Sequence, residues 1–159
     1  MTPKGLKILK IFHLIFAIMW IGGVMALICV EMGSSPKNNE MVYMSAIDQL
    51  IIDEFFLIPG GIGIVITAII YAIFTKWGFW KHNWLKVKWL LTIALVIIGA
   101  GYMGMLIKEN VAYIEGVMPT TEYLAQYWIN VRNIAIAGII QLVGFISIVI
   151  ISVFKPWKK

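Results

Sequence analysis

The sequence predicts an all-α integral membrane protein. We read it as a four-helix bundle in a single transmembrane domain, residues 1–159, with a short amphipathic surface helix between spans one and two. Three observations predict this class. The chain is 61% hydrophobic and only 13% charged, with a mean hydropathy of +0.90, which is more apolar surface than a soluble domain of this length can hide. Four apolar runs are each long enough to cross a ~30 Å hydrocarbon core at ~1.5 Å per residue. The cations gather at the ends of those runs, on alternating sides.

The first span runs from about Leu6 to Met32, behind a basic tail containing Lys4, Lys7 and Lys10. It lacks a small-x-small cleavage signature and is too long for a signal peptide, so it is expected to stay in the membrane. Gly33-Ser-Ser-Pro36-Lys-Asn-Asn reads as a turn. Met44, Ile47 and Ile51 then recur at helical spacing with Asp48 and Asp53 opposite, the pattern of an amphipathic helix lying at the outer surface. The second span, 56–76, carries Pro59 in its first turn, where a missing N–H is harmless. A short aromatic linker from Trp77 to Trp84 makes spans two and three antiparallel neighbours. The third span covers 85–108 and the fourth 128–154. Glycines punctuate spans two, three and four, where they allow close helix approach or leave room for a flat ligand.

The N-terminus, the second connection (Lys76, Lys81, Lys86, Lys88) and the C-terminus (Lys155, Lys158, Lys159) hold almost every cation. The first connection is acidic (Glu31, Glu40, Asp48, Asp53, Glu54 against Lys37), as is the third (Glu109, Glu115, Glu122). Both termini are therefore expected in the cytoplasm, in a multi-pass protein of a bacterial-type plasma (inner) membrane. The net charge of +5 reports topology, since its cations lie at span ends, and no nucleic-acid partner is expected. The single cysteine, Cys29, excludes an internal disulfide and any CxxC redox or zinc motif. No nucleophile–base pair or phosphate loop is present in the pattern.

Of the two histidines, His13 alone lies inside an apolar span, and an ionisable residue there marks a functional site by default. Its alternative is a headgroup-level hydrogen bond to water or a neighbouring helix. Lys88 sits one turn inside span three from the same face, at a depth similar to His13. Lys86, two residues earlier, points about 200° away around the helix, so one lysine can snorkel while the other faces the interior. Neutral imidazole is the usual protein ligand of haem iron, and bundle cores are where facing side chains build such sites. His82 is a competing second ligand if span three begins earlier. Met25, Cys29 and Met32 share one face of span one at i, i+4 and i+7, a soft donor set suited to Cu(I) or, equally, ordinary packing. In span four, Arg132 reads as an interface residue and Gln141 as an interhelical hydrogen-bonder.

Lys-x-x-His13, then Trp20-x-Gly-Gly, then Trp84-Leu85-Lys86-Val87-Lys88 opening span three together resemble the HemJ/CopD-type superfamily of small four-helix membrane proteins. It includes HemJ-type protoporphyrinogen oxidases and CopD-type copper-resistance domains. The resemblance implies that His13 and Lys88 match positions associated with haem b. The chain departs from HemJ proteins at Ala26-Leu27-Ile28-Cys29, where Leu-Pro-Arg-Leu is expected, and at Lys86, where the Trp-Leu-His-x-Lys motif has histidine. The first expectation is thus a haem-b protein, extending to a membrane oxidoreductase or electron-transfer protein. His13 would be its axial ligand, Lys88 or His82 the second partner, Trp20 and Lys86 would lie beside the cofactor, and a porphyrin or quinone-like molecule would be the substrate. The other expectations are a copper-handling protein using Met25, Cys29 and Met32, and a non-catalytic subunit that assembles with itself or a membrane partner.

Overall fold

The computed structural model describes residues 1–33, 39–75, 78–116 and 121–156, with the backbone alone described at 115, 116 and 121–124. Among them every regular element is a helix. Helix α1 is Pro3–Gly33. Helix α2 is built from Asn39–Ile52, a π-helical turn at Asp53–Leu57, and Ile58–Phe74. Helix α3 consists of Asn83–Val96, a π turn at Ile97–Met103, and Gly104–Gly116. Helix α4 is Thr121–Phe154. Four helices among the described residues are long and apolar enough to cross a membrane, as expected for a membrane bundle. The turn read at 34–38, Lys76 at the end of span two, and Lys158 and Lys159 lie outside the described residues, as do the side chains of Glu115 and Glu122.

Local chemistry explains the ends. Thr2 caps α1, its Oγ1 accepting from the Gly5 N–H at 3.2 Å, and Pro3 occupies the first turn, where its lost donor costs nothing. His82 precedes α3 in an extended conformation, and its carbonyl accepts from the Leu85 and Lys86 N–H groups. Lys155 takes φ 44° just after α4, and Pro156 follows it, a left-handed stop reinforced by a residue that cannot continue the helix.

The separate surface helix is not seen. Residues 39–52 continue into the second span, and Pro59 lies within one 36-residue helix, Asn39–Phe74, instead of beginning it. A proline inside a helix lacks one donor and crowds the carbonyl four residues back. The π turn lies directly before Pro59, and there Ile58 N–H bonds to Asp53 O, one residue further back than in an α-helix. At ~1.5 Å per residue the helix is about 54 Å long, well beyond the thickness of the ~30 Å hydrocarbon core; we call the end of the bundle that holds both termini inner and the opposite end outer.

The buried face of the outer segment of α2 mixes apolar and polar groups, and of the two faces read from the sequence Asp48 is exposed while Asp53 is buried. Val42, Ser45, Ala46, Gln49 and Asp53 are buried, while Met44, Asp48 and Ile51 are exposed. The whole bundle likewise mixes the two, with Leu27, Ile107 and Ile134 as fully buried as its polar residues. Leu90, Ile18, Val143 and Phe154 are exposed, whereas Asp53, Asn110, Asn130, Gln49 and Gln141 are among the most completely buried side chains. A bilayer solvates apolar side chains as well as a core does, leaving polar groups as the interior's interhelical contacts.

Helix α1 packs against the Ile58–Phe74 part of α2 and against α4. The outer part of α3 packs against the outer part of α2, while its inner part, Asn83–Val96, packs mainly on α4. Helices α1 and α3 therefore lie diagonally, and α2 and α3 are close neighbours chiefly in their outer halves. Glycines set the tightest contact. A Cβ on Gly60 would fall 2.7 Å from the Trp20 backbone N, and one on Gly63 would enter the Phe16 ring. Gly22 meets nothing within 4 Å, whereas Gly23 abuts Leu57 and Phe56, so only the second glycine of the Trp20-x-Gly-Gly motif serves packing. Trp20 is buried and meets Phe145 of α4 edge to face, with ring centroids 4.9 Å apart.

Candidate functional site

The inner site is built on one face of α2. Thr67 and Tyr71, at i and i+4, share that face and meet His13 from α1. His13 Nδ1 lies 2.7 Å from Thr67 Oγ1. The Thr67 hydroxyl has a single proton, and it is directed to backbone carbonyls, Gly63 O at 2.6 Å and Ile64 O at 3.0 Å. Thr67 Oγ1 must then accept, and His13 Nδ1–H donates. This assignment from the heavy-atom contacts places the proton on Nδ1 and leaves Nε2 with its lone pair, making no hydrogen bond among the described residues. Tyr71 packs its ring edge to face with His13 at 5.9 Å and donates its hydroxyl to Leu6 O at 3.3 Å. The imidazole is thus held from two sides by residues one turn apart.

Lys88 approaches from the diagonal helix α3. It is half-buried, and its charge reaches His13. Lys86 is exposed, so the two lysines divide between the interior and the outside as their spacing requires. Between them, the inner parts of α2 and α3 make few contacts, and neither does α1 pack closely on α3. His82 stays at the entrance to α3, stacked on Trp84 with ring centroids 6.2 Å apart. Trp20 lies at the bundle centre between Gly60, Gly61 and Phe145, where packing accounts for it.

Met25, Cys29 and Met32 are all exposed on the outward face of α1. Among the described residues, no group of three or more His, Cys, Asp or Glu side chains is placed to hold a metal ion.

A second polar layer occupies the outer half. Asn130 Nδ2 donates to Asn110 Oδ1 at 2.9 Å, and Gln126 donates to Asn130 at 3.0 Å. Gln49 Nε2 donates to Glu31 Oε1 at 2.9 Å, and Tyr127 shares a side-chain hydrogen bond with Ser45. Deeper in, Gln141 Nε2 lies 3.2 Å from Met103 Sδ, the cross-bundle contact expected of it, while Arg132 is exposed. Glu31 and Asp53 count, by sequence, among the carboxylates of the acidic first connection. They are helical and turned inward, with Asp53 completely buried. Thr67 escaped notice too, although Thr67 and Tyr71 are polar residues one turn apart in an otherwise apolar span.

The chain matches no known family model, no curated protein and no solved structure.

Proposed function

We propose that this is a haem-b-binding integral membrane protein, with His13 as the axial ligand at the inner end of the bundle. The observation that carries the reading is the hydrogen bond from His13 Nδ1–H to Thr67. Haem-ligating histidines commonly commit one ring nitrogen to a protein acceptor, which orients the ring and leaves the other nitrogen to the metal. The donor set fits the group. His13 offers a neutral nitrogen, half-buried Lys88 offers either a deprotonated amine as second ligand or an ammonium as propionate partner, and Lys10, Lys81 and Lys86 are exposed near the same end. Bound haem would supply one-electron redox chemistry. The protein's part is to hold the imidazole through Thr67 and Tyr71 and to offset carboxylate charge with Lys88.

The resemblance of the His13, Trp20-x-Gly-Gly and Trp84–Lys88 motifs to HemJ/CopD-type proteins supports the same reading, including a membrane oxidoreductase acting on a porphyrin or quinone-like molecule. Charge alternation supports cytoplasmic termini in a bacterial-type inner membrane. The copper alternative has less support, because Met25, Cys29 and Met32 face away from the bundle and would need a second molecule to complete a coordination sphere.

Titration of detergent-purified protein with hemin tests the assignment. Wild type should give a saturable Soret change and His13→Ala none. Thr67→Val, which keeps the shape but removes the acceptor, should bind about 10-fold more weakly, as for other groups that orient metal ligands. Equal binding by wild type and His13→Ala would refute it.

A further inference from the structure

The outer half of the bundle holds acceptor oxygens that no protein group satisfies. Asp53 is fully buried at the first residue of the α2 π turn, and neither of its carboxylate oxygens has a hydrogen-bond partner among the described residues. Its Oδ2 faces Gly104, the residue that follows the α3 π turn, and a Cβ built there would lie 3.4 Å away. Two π turns thus meet at one carboxylate, and such turns are concentrated at functional sites. Gln49 lies one helical turn further out on the same buried face and is 1% exposed. Its Nε2 donates to Glu31 Oε1, which leaves Gln49 Oε1 and Glu31 Oε2 buried and without partners. With Glu31 ionised, reversing the amide would set two acceptors against each other, which leaves the Gln49 carbonyl on the unpartnered side.

Every unsatisfied atom in this set is an oxygen acceptor. Folded proteins rarely leave buried polar atoms in this condition without an ion or water. We propose that Asp53 and Gln49, with Glu31 held behind them through Gln49, bind a small monovalent alkali cation at the outer end of the bundle. Oxygen-only donors select hard cations. The charge balance selects a monovalent one. Among the described residues Asp53 is the one buried carboxylate with both oxygens free, Glu31 is engaged through Gln49, and the positive charge of Lys108 bears on Asp53 and opposes a second unit of cationic charge there. A divalent ion takes more oxygen ligands and more compensating charge. Glu54 also bears on Asp53, and with Glu40 and Asp48 it is exposed on the outer part of α2, giving cations a negative approach.

The test uses full-length protein in detergent, in choline chloride at fixed ionic strength, titrated with NaCl or KCl. Thermal unfolding and binding of radiolabelled sodium are read together. Wild type should show a saturable rise in Tm of several degrees and saturable sodium binding. Asp53→Asn should lose both, yet melt no lower than wild type in choline chloride, because the amide removes the buried charge. Gln49→Met keeps the carboxylate and should bind sodium at least ~10-fold more weakly, equivalent to one lost ligand. The proposal is overturned if wild type responds to neither salt, or if Asp53→Asn binds sodium like wild type. It is equally overturned if acidification in choline chloride gives the whole stabilisation while no labelled sodium binds, since protons alone would then satisfy Asp53 and Glu31.

Discussion

Gly60→Ala should be among the most destabilising single-methyl changes in this protein, lowering stability by about 3 kcal/mol, the upper end for overpacking a tight contact. The reason is the identity of the atoms in the way. The added Cβ meets the Trp20 backbone, N at 2.7 Å and Cα at 3.0 Å, and a backbone cannot rotate aside as a side chain can. Relief requires α1 and α2 to separate along their closest contact. At Gly63 the Cβ would enter the Phe16 ring, which a change of rotamer can relieve in part. Gly22→Ala is the control, because nothing lies within 4 Å of its Cβ position. Unfolding measured by steric trapping in bicelles should show a large loss for Gly60→Ala and a change within about 0.5 kcal/mol for Gly22→Ala. Similar effects from the two would mean that α1 and α2 do not pack in this register.

Trp20→Ala should cost a comparable amount, about 3 kcal/mol, at the low end for truncating a buried tryptophan. Trp20 is 3% exposed, fills the space beside Gly60 and Gly61, and meets Phe145 edge to face at 4.9 Å. In a membrane the loss comes from broken contacts and the cavity left behind. Water plays little part, because lipid tails are as apolar as the core. Trp20→Phe should recover part of the stability by restoring one aromatic pair with Phe145. If Trp20→Ala proved neutral, Trp20 would not be the central packing element of the bundle.

These two residues also mark how far the sequence could be read. The four spans were legible because apolar length and lysine flanks are local properties that a bilayer reads directly. The Trp20-x-Gly-Gly motif was legible as a feature, but the separate duties of Gly22 and Gly23 depend on which face meets Leu57. In the outer part of α2, Asp48 and Asp53 read as one polar face, whereas the fold exposes Asp48 and buries Asp53. With lipid and the outer interface as surroundings, Ser45, Gln49 and Asp53 take the interior. The continuity of α2 was hidden by Pro59, whose usual breaking effect is absorbed by a π turn. At the inner site, His13 and Lys88 stood out as ionisable residues near span ends. Thr67 did not, because its partnership with His13 spans 54 positions of sequence and leaves no local trace.

The most direct test of the His13 site is the absorption spectrum of protein purified in detergent from haem-replete cells, air-oxidised and then reduced with dithionite. Wild type should show a Soret band and reducible α and β bands of haem b, and His13→Ala of equal thermal stability should show none. A featureless spectrum from well-folded wild type after haem supplementation would contradict the assignment of His13 as a haem ligand.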